Sequence, residues 1–95
     1  MKLMAYSVYD VKASCYSRPH FLSNDNLALR SFGDAVADRS TGLCLHVEDY
    51  KLFKVGVFDD VQGIFETFVV PEFIANASDF ISLIKKEASD GSDKG

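Results

Sequence analysis

The sequence has no tryptophan, two prolines, two cysteines and six glycines in 95 residues. None of those glycines forms a Gly-rich phosphate loop, and neither a nucleophile elbow nor a paired-cysteine motif occurs. The familiar enzyme constellations are therefore missing, and the expectation is a protein that performs no catalysis and carries no cofactor. No apolar run is long enough for a signal-peptide core or a membrane span. The chain is expected to stay in the cytoplasm where it is made, with no membrane partner. In that compartment Cys15 and Cys44 should remain free thiols.

What is present suits one domain. Hydrophobic residues make up 47% and charged residues 25%, ordinary values for a globular chain with a single core. Eight phenylalanines and four tyrosines are generous for that core. The formal net charge is −4, distributed unevenly: residues 1–58 hold seven Lys/Arg against six Asp/Glu, and residues 59–95 hold three against eight. An acidic total argues against tight, non-specific duplex binding by the whole surface, because such binding scales with the phosphates neutralised. A local basic face remains compatible with it.

Periodicity suggests the order β-α-β-β-α. Lys2 to Tyr9 alternates, with Met4, Tyr6 and Val8 on one face and Leu3, Ala5, Ser7 and Tyr9 on the other. Neither face is very polar, so this strand should be central. Residues 10–23 read as a long connection broken by Pro19. Ser23, Asn24 and Asp25 are candidate N-caps for a helix burying Ala28, Leu29, Phe32, Ala35 and Val36 and stopping near Asp38 to Ser40. Within it, Gly33 is placed to allow a close approach to the sheet. Tyr50–Phe58 and Ile64–Val70 read as a hairpin turning through Asp59, Asp60 and Gly63. Pro71 then suits the first turn of a helix running through Ala88, with a shorter helix capped by Ser78 as the competing reading.

The expected fold is α+β over residues 1–88, followed by a polar tail at 89–95. It comprises a three-stranded mixed sheet with strands 1 and 2 parallel and two helices on one face. The other sheet face would carry Tyr9, Leu52, Lys54, Phe58, Glu66 and Phe68, which is too apolar for water alone. Nucleic acid or a second subunit should cover it, and self-association is the simpler choice.

One segment stands out in an acidic chain. VKASCYSRPHF, residues 11–21, contains no acid and interleaves Lys12, Arg18 and His20 with Tyr16 and Phe21. Extended backbone would let the cations reach phosphates and the rings stack on bases, which is the chemistry of sequence-tolerant single-strand binding. The rings could equally pin a long loop over the core. Lys2, Arg30, Arg39 and Lys54 are candidates to extend the basic patch. Cys15, His20, Cys44 and His46 are zinc-type donors, but the spacings Cys-x4-His and Cys-x-His do not match paired knuckles. His46 with Glu48 and Asp49, and Asp59 with Asp60, suggest a hydrolytic metal site less well than they suggest turns. Lys85, Lys86 and Glu87 suit the C-terminal end of a helix.

Three blocks then resemble a known family. MAYSVYDVKASCYSRPHF, NLALRSFGDAV and HVEDYKLFKVGVFDDVQG occur in order, from about residue 4 to residue 63. Together they are similar to the small non-structural protein of gokushoviruses, single-stranded-DNA bacterial viruses of the microvirus group. The pattern takes in Tyr6, Lys12, Tyr16, Pro19 and Phe21, then Arg30, Phe32 and Asp34, then His46, Tyr50, Gly56, Asp59 and Gly63. Val47 stands where many members carry proline, which leaves the start of that strand less rigid. The resemblance implies a DNA-associated accessory protein of the infected host's cytoplasm, acting in single-stranded DNA synthesis and genome packaging. Its partners would be single-stranded DNA and a procapsid or replication complex. The DNA-associated protein is expected to be a homo-oligomer; the alternative is a protein-interaction module that docks a procapsid or replication protein without touching DNA.

Overall fold

The computed structural model describes residues 1–84. Strand β1 (Lys2–Asp10) is flanked on one side by two short strands, β2 (Cys15–Tyr16) and β3 (His20–Leu22). On its other side lies β4 (Tyr50–Asp59), followed by β5 (Ile64–Asn76). Every pairing is antiparallel, and the sheet is strongly curled. Helix α1 (Asp25–Ala37) crosses one face, and 3-10 segments occupy Arg39–Thr41, Leu43–Asp49 and Ala77–Phe80.

This architecture corrects the three-stranded mixed sheet expected from periodicity. Residues 15–22, read as a connection, run back along β1 as an edge strand. That extra reversal brings the chain down before α1 carries it up again, so β4 descends antiparallel to β1, pairing Asp10 with Tyr50 and Lys2 with Asp59. The expected second helix starts later than Pro71. β5 continues through Pro71 to Asn76, a 3-10 turn follows at Ala77–Phe80, and of that helix only residues 81–84 are α-helical among the described residues. Pro71 is tolerated because Phe68–Pro71 loop out of the ladder between the pairs Lys54–Glu72 and Gly56–Thr67, where no N–H is needed. Asn76, rather than Ser78, caps the turn, in a reciprocal box with Asp79. The expected helix end at Lys85, Lys86, Glu87 and Ala88 and the tail at 89–95 lie outside the described residues.

Helix α1 starts where Asn24 accepts a hydrogen bond from the Leu27 N–H. Its buried stripe of Ala28, Phe32 and Val36 packs on Tyr6 and Leu52 of the sheet and on Ala77. Burial of a ring such as Phe32 stabilises by about 1.5–3 kcal/mol. Gly33 permits a close approach, but to Phe80 rather than to the sheet: a Cβ there would lie 2.9 Å from that ring. Phe80 in turn meets Phe32 edge-on, centroids 5.7 Å apart. The core thus lies between α1 and one face of the sheet.

Candidate nucleic-acid interface

Two irregularities decide which side chains reach the opposite, outer face. Ser17 donates its N–H to the Val8 carbonyl (2.8 Å), yet the next pairing is His20 with Tyr6, so Arg18 and Pro19 together oppose Ser7. This is a β-bulge, built on the residue that cannot donate a hydrogen bond. Ser7, itself buried, donates to the Ser17 carbonyl at 2.6 Å, and the Ser17 hydroxyl accepts from the Val8 N–H at 3.0 Å. Tyr16 and Phe21 are five positions apart and would face opposite ways in a regular strand. The extra residue puts both on the outer face, opposite Tyr9 and Ala5. In β4, Val55 is likewise unpaired between Lys54 and Gly56, which moves Phe53 to the outer face and Lys54 to the helix side with Tyr6.

The outer face therefore collects seven aromatic rings in two clusters. In the first, Tyr9 and Tyr16 are 4.7 Å apart, Tyr16 and Phe53 5.8 Å, and Phe53 and Phe73 5.8 Å, centroid to centroid. In the second, Phe58 and Phe65 are 5.0 Å apart and Phe21 lies 5.9 and 5.7 Å from them. Tyr16, Phe21, Phe65 and Phe73 are each 40–52% exposed. This replaces the expected face in part: Tyr9 and Phe58 are on it, whereas Leu52, Lys54 and Glu66 pair in register with helix-side positions.

Charge is sorted between the two faces. The carboxylates of the strands, Asp10, Asp59, Glu66 and Glu72, all occupy register positions on the Tyr6 side. No Asp or Glu holds an outer-face position among the described strand residues. Lys51 does hold one, opposite Tyr9, and its ammonium donates to Asn76 Oδ1 at 2.8 Å rather than to a carboxylate. Lys12 and Arg18 are exposed, at the β1–β2 turn and at the bulge. The Asp10 carboxylate shapes that turn by accepting from the N–H groups of Lys12 and Ala13.

Of the eight residues proposed from sequence, the structure brings Lys12, Tyr16 and Arg18 to one end of the outer face. His20 pairs with Tyr6 on the helix side and, together with parts of Tyr16 and Phe21, lines a cavity of about 670 Å³ beneath α1. Arg30 is exposed on α1, Arg39 on the 3-10 segment that follows it, and Lys2 at the start of β1 on the Tyr6 side. Lys54 is bound on that side by Asp25 at 2.9 Å and Glu72 at 3.4 Å. Tyr6 donates to the same Asp25 carboxylate. The two hydrogen bonds, from Tyr6 first and Lys54 second, hold the Asp25 carboxyl below its ordinary range. Burial and then the Asp25 contact push the Tyr6 phenol up.

Sequence reasoning did not single out Lys51, Phe53, Phe65 and Phe73, which the structure puts on the same face as Tyr16 and Phe21. The strong aromatic content of β4 and β5 was the available signal, but only the bulges put those rings on one face. The chain matches the model of the phage ORF5 protein family over residues 3–80. It belongs to that family. Comparison with curated proteins gives no match, and comparison with solved structures gives none. Family membership makes this a bacteriophage protein. No helix among the described residues is long and apolar enough to cross a membrane.

Among the described residues, the metal question narrows to one cluster. His46, Glu48 and Asp49 bring donor atoms within 4.8 Å of one another. Asp59 instead accepts from the Val61 and Gln62 N–H groups in the hairpin turn, and Asp60 pairs with the N-terminal amine at 2.8 Å. Cys15 and Cys44 are both free thiols.

Proposed function

We propose that this phage protein binds single-stranded DNA on the outer face of its sheet. The reading rests on one observation: seven aromatic rings share a face from which every strand carboxylate is excluded. Rings offer stacking to any unpaired base, at about 1–3 kcal/mol per base, and Lys12, Arg18 and Lys51 offer the phosphates a positive end. A duplex keeps its bases stacked inside and cannot use such a surface. Binding is weak, salt-sensitive and sequence-tolerant, and no bond is made or broken.

The three sequence blocks shared with gokushovirus non-structural proteins support a place in single-stranded DNA synthesis and genome packaging, within the cytoplasm of the infected bacterium. Fluorescence anisotropy of a labelled single strand at low and moderate salt tests the site. The Lys12→Ala/Arg18→Ala variant should bind more weakly, with a salt slope shallower by about 0.7 for each phosphate it no longer neutralises. Wild-type affinity in that variant would remove Lys12 and Arg18 from the site.

A second reading has its own support. Val69 is 100% exposed and Val70 74%, on the looped-out Phe68–Pro71 of edge strand β5. Exposed apolar side chains beside an open strand edge favour docking, either to a second copy or to a procapsid or replication protein. Size-exclusion chromatography with light scattering, with and without an oligonucleotide, separates the two. Under this reading the protein associates and ignores DNA.

A further inference from the structure

The aromatic face is divided. Among the described residues no ring pair joins the Tyr9, Tyr16, Phe53 and Phe73 cluster to that of Phe21, Phe58 and Phe65. On β1, β4 and β5 the register row Ala5, Gly56 and Thr67 carries no large side chain and parts Phe53 and Phe73 from Phe58 and Phe65; on β3 the same row holds Phe21, the near edge of the second cluster. Phe53 and Phe58 are five residues apart on β4, and a rise of about 3.3 Å per residue places them on the order of 15 Å apart.

The clusters also differ in charge. Lys51 shares a register row with Tyr9 and Tyr16, Lys12 follows in the adjoining turn, and Arg18 sits at the bulge beside Ser7. The second cluster lies at the other end of β4, next to the hairpin turn. Among the described residues its positive charges are Lys2, in register with Asp59, and the N-terminal amine, held by Asp60, so each is set beside an acid.

We infer that the face contains two unequal base-stacking subsites joined by one single strand lying along β4. This rests on the reading of the outer face as a DNA site and adds its internal layout. The Tyr9–Tyr16 subsite holds a base and the adjacent phosphates together. The Phe58–Phe65 subsite takes a base by stacking alone, with no phosphate contact, and is reached only by an oligonucleotide long enough to bridge the two. The ligand is a flexible unpaired strand, engaged at one end through charge and at the other through rings.

The chain supplies its own reporter. It has no tryptophan, and among the outer-face rings the tyrosines, Tyr9 and Tyr16, belong to the first subsite alone. Above the background of Tyr6 and Tyr50, the change in tyrosine emission on binding therefore reports stacking there and not at the second. The experiment titrates full-length protein with oligothymidylates of increasing length, at several salt concentrations, in wild type, Phe65→Ala and Lys12→Ala/Arg18→Ala. Phe65→Leu, which keeps apolar bulk but loses the flat ring, stands in if Phe65→Ala fails to fold. Phe65 is 52% exposed, so loss of its ring removes little core.

The expected result has three parts. Short oligomers bind Phe65→Ala and wild type alike, and longer ones bind the variant at least about fivefold more weakly, as loss of one stacked base requires. The salt slope of Phe65→Ala equals that of wild type, whereas Lys12→Ala/Arg18→Ala is shallower. Tyrosine quenching at saturation persists in Phe65→Ala. Wild-type binding that Phe65→Ala leaves unchanged at every length, or weakens equally at the shortest lengths, or weakens with a flattened salt slope, overturns the two-subsite layout while leaving DNA binding standing. Absence of binding by the wild type overturns both.

Discussion

The Lys54 ammonium lies 2.9 Å from the Asp25 carboxylate, on the helix side of the sheet. The side chain of Lys54 is 15% exposed, and Tyr6 donates to the same carboxylate. A lysine that looks like part of a basic patch in the sequence is thus the centre of a clamp between β4 and the start of α1. Lys54→Ala should leave single-strand affinity and its salt slope unchanged, and should lower the midpoint of denaturant unfolding. A parallel anisotropy titration and urea melt check both halves; a flattened salt slope would return Lys54 to the interface.

Asp25→Asn tests the same clamp by charge. The Asp25 carboxyl is held below its usual value, so its contribution to stability is complete above the ordinary carboxylate range, near pH 4, and is lost as pH falls through the lower folded value. At neutral pH the variant should be less stable by about 1–2 kcal/mol, the upper part of a charged hydrogen bond's worth being screened because the Asp25 side chain is 45% exposed. Its stability should fall less steeply than wild type's between pH 5 and 3. Denaturant midpoints across that range give the answer.

The raised groups predict the opposite limb. The Tyr6 phenol, raised by burial, and the Lys54 ammonium, raised by Asp25, both favour the fold while protonated. Their contribution is complete below the ordinary phenol and ammonium range, near pH 10, and is lost as pH rises through the higher folded values. Tyr6→Phe should abolish most of the tyrosine component of alkaline unfolding, followed by circular dichroism against pH.

Two glycines should respond differently to alanine. A Cβ at Gly56 would lie 2.6 Å from the backbone oxygen of Glu66, which cannot move without parting β4 from β5. Gly56→Ala should cost about 3 kcal/mol, the high end of overpacking. At Gly33 the obstacle is the Phe80 ring, a side chain able to turn, and the helix gains about 1 kcal/mol of propensity. Gly33→Ala should cost less than half as much, measured by thermal or urea melts of the two variants.

The sequence is legible where one local rule acts alone. Asn24 caps α1, its Ala28, Phe32 and Val36 stripe is the buried one, and Asp59 to Gly63 make the hairpin turn, with Gly63 at φ 69°. It misleads where a ladder absorbs an irregularity. Pro19 reads as a loop signal but sits in an edge-strand bulge, and Pro71 reads as a helix start but sits in a loop-out of β5. Each unpaired residue reverses the face of those beyond it. The candidate face suffers most: Lys54, expected on it, turns to the helix side and Phe53 takes its place because Val55 drops out of the ladder. Alternation cannot reveal a bulge, because the same letters fit both registers.

The location of the bound strand tests the outer-face reading most directly. Ultraviolet cross-linking of the wild-type protein to an iododeoxyuridine-substituted single strand, followed by peptide mass spectrometry, identifies the residues in contact. Adducts are expected on the outer-face rings, Phe65 and Phe73 foremost because about half of each is exposed, with Tyr16 next. Adducts confined to α1 or to Leu43–Asp49, or no adduct under conditions where the strand is in excess, would contradict DNA binding on this face.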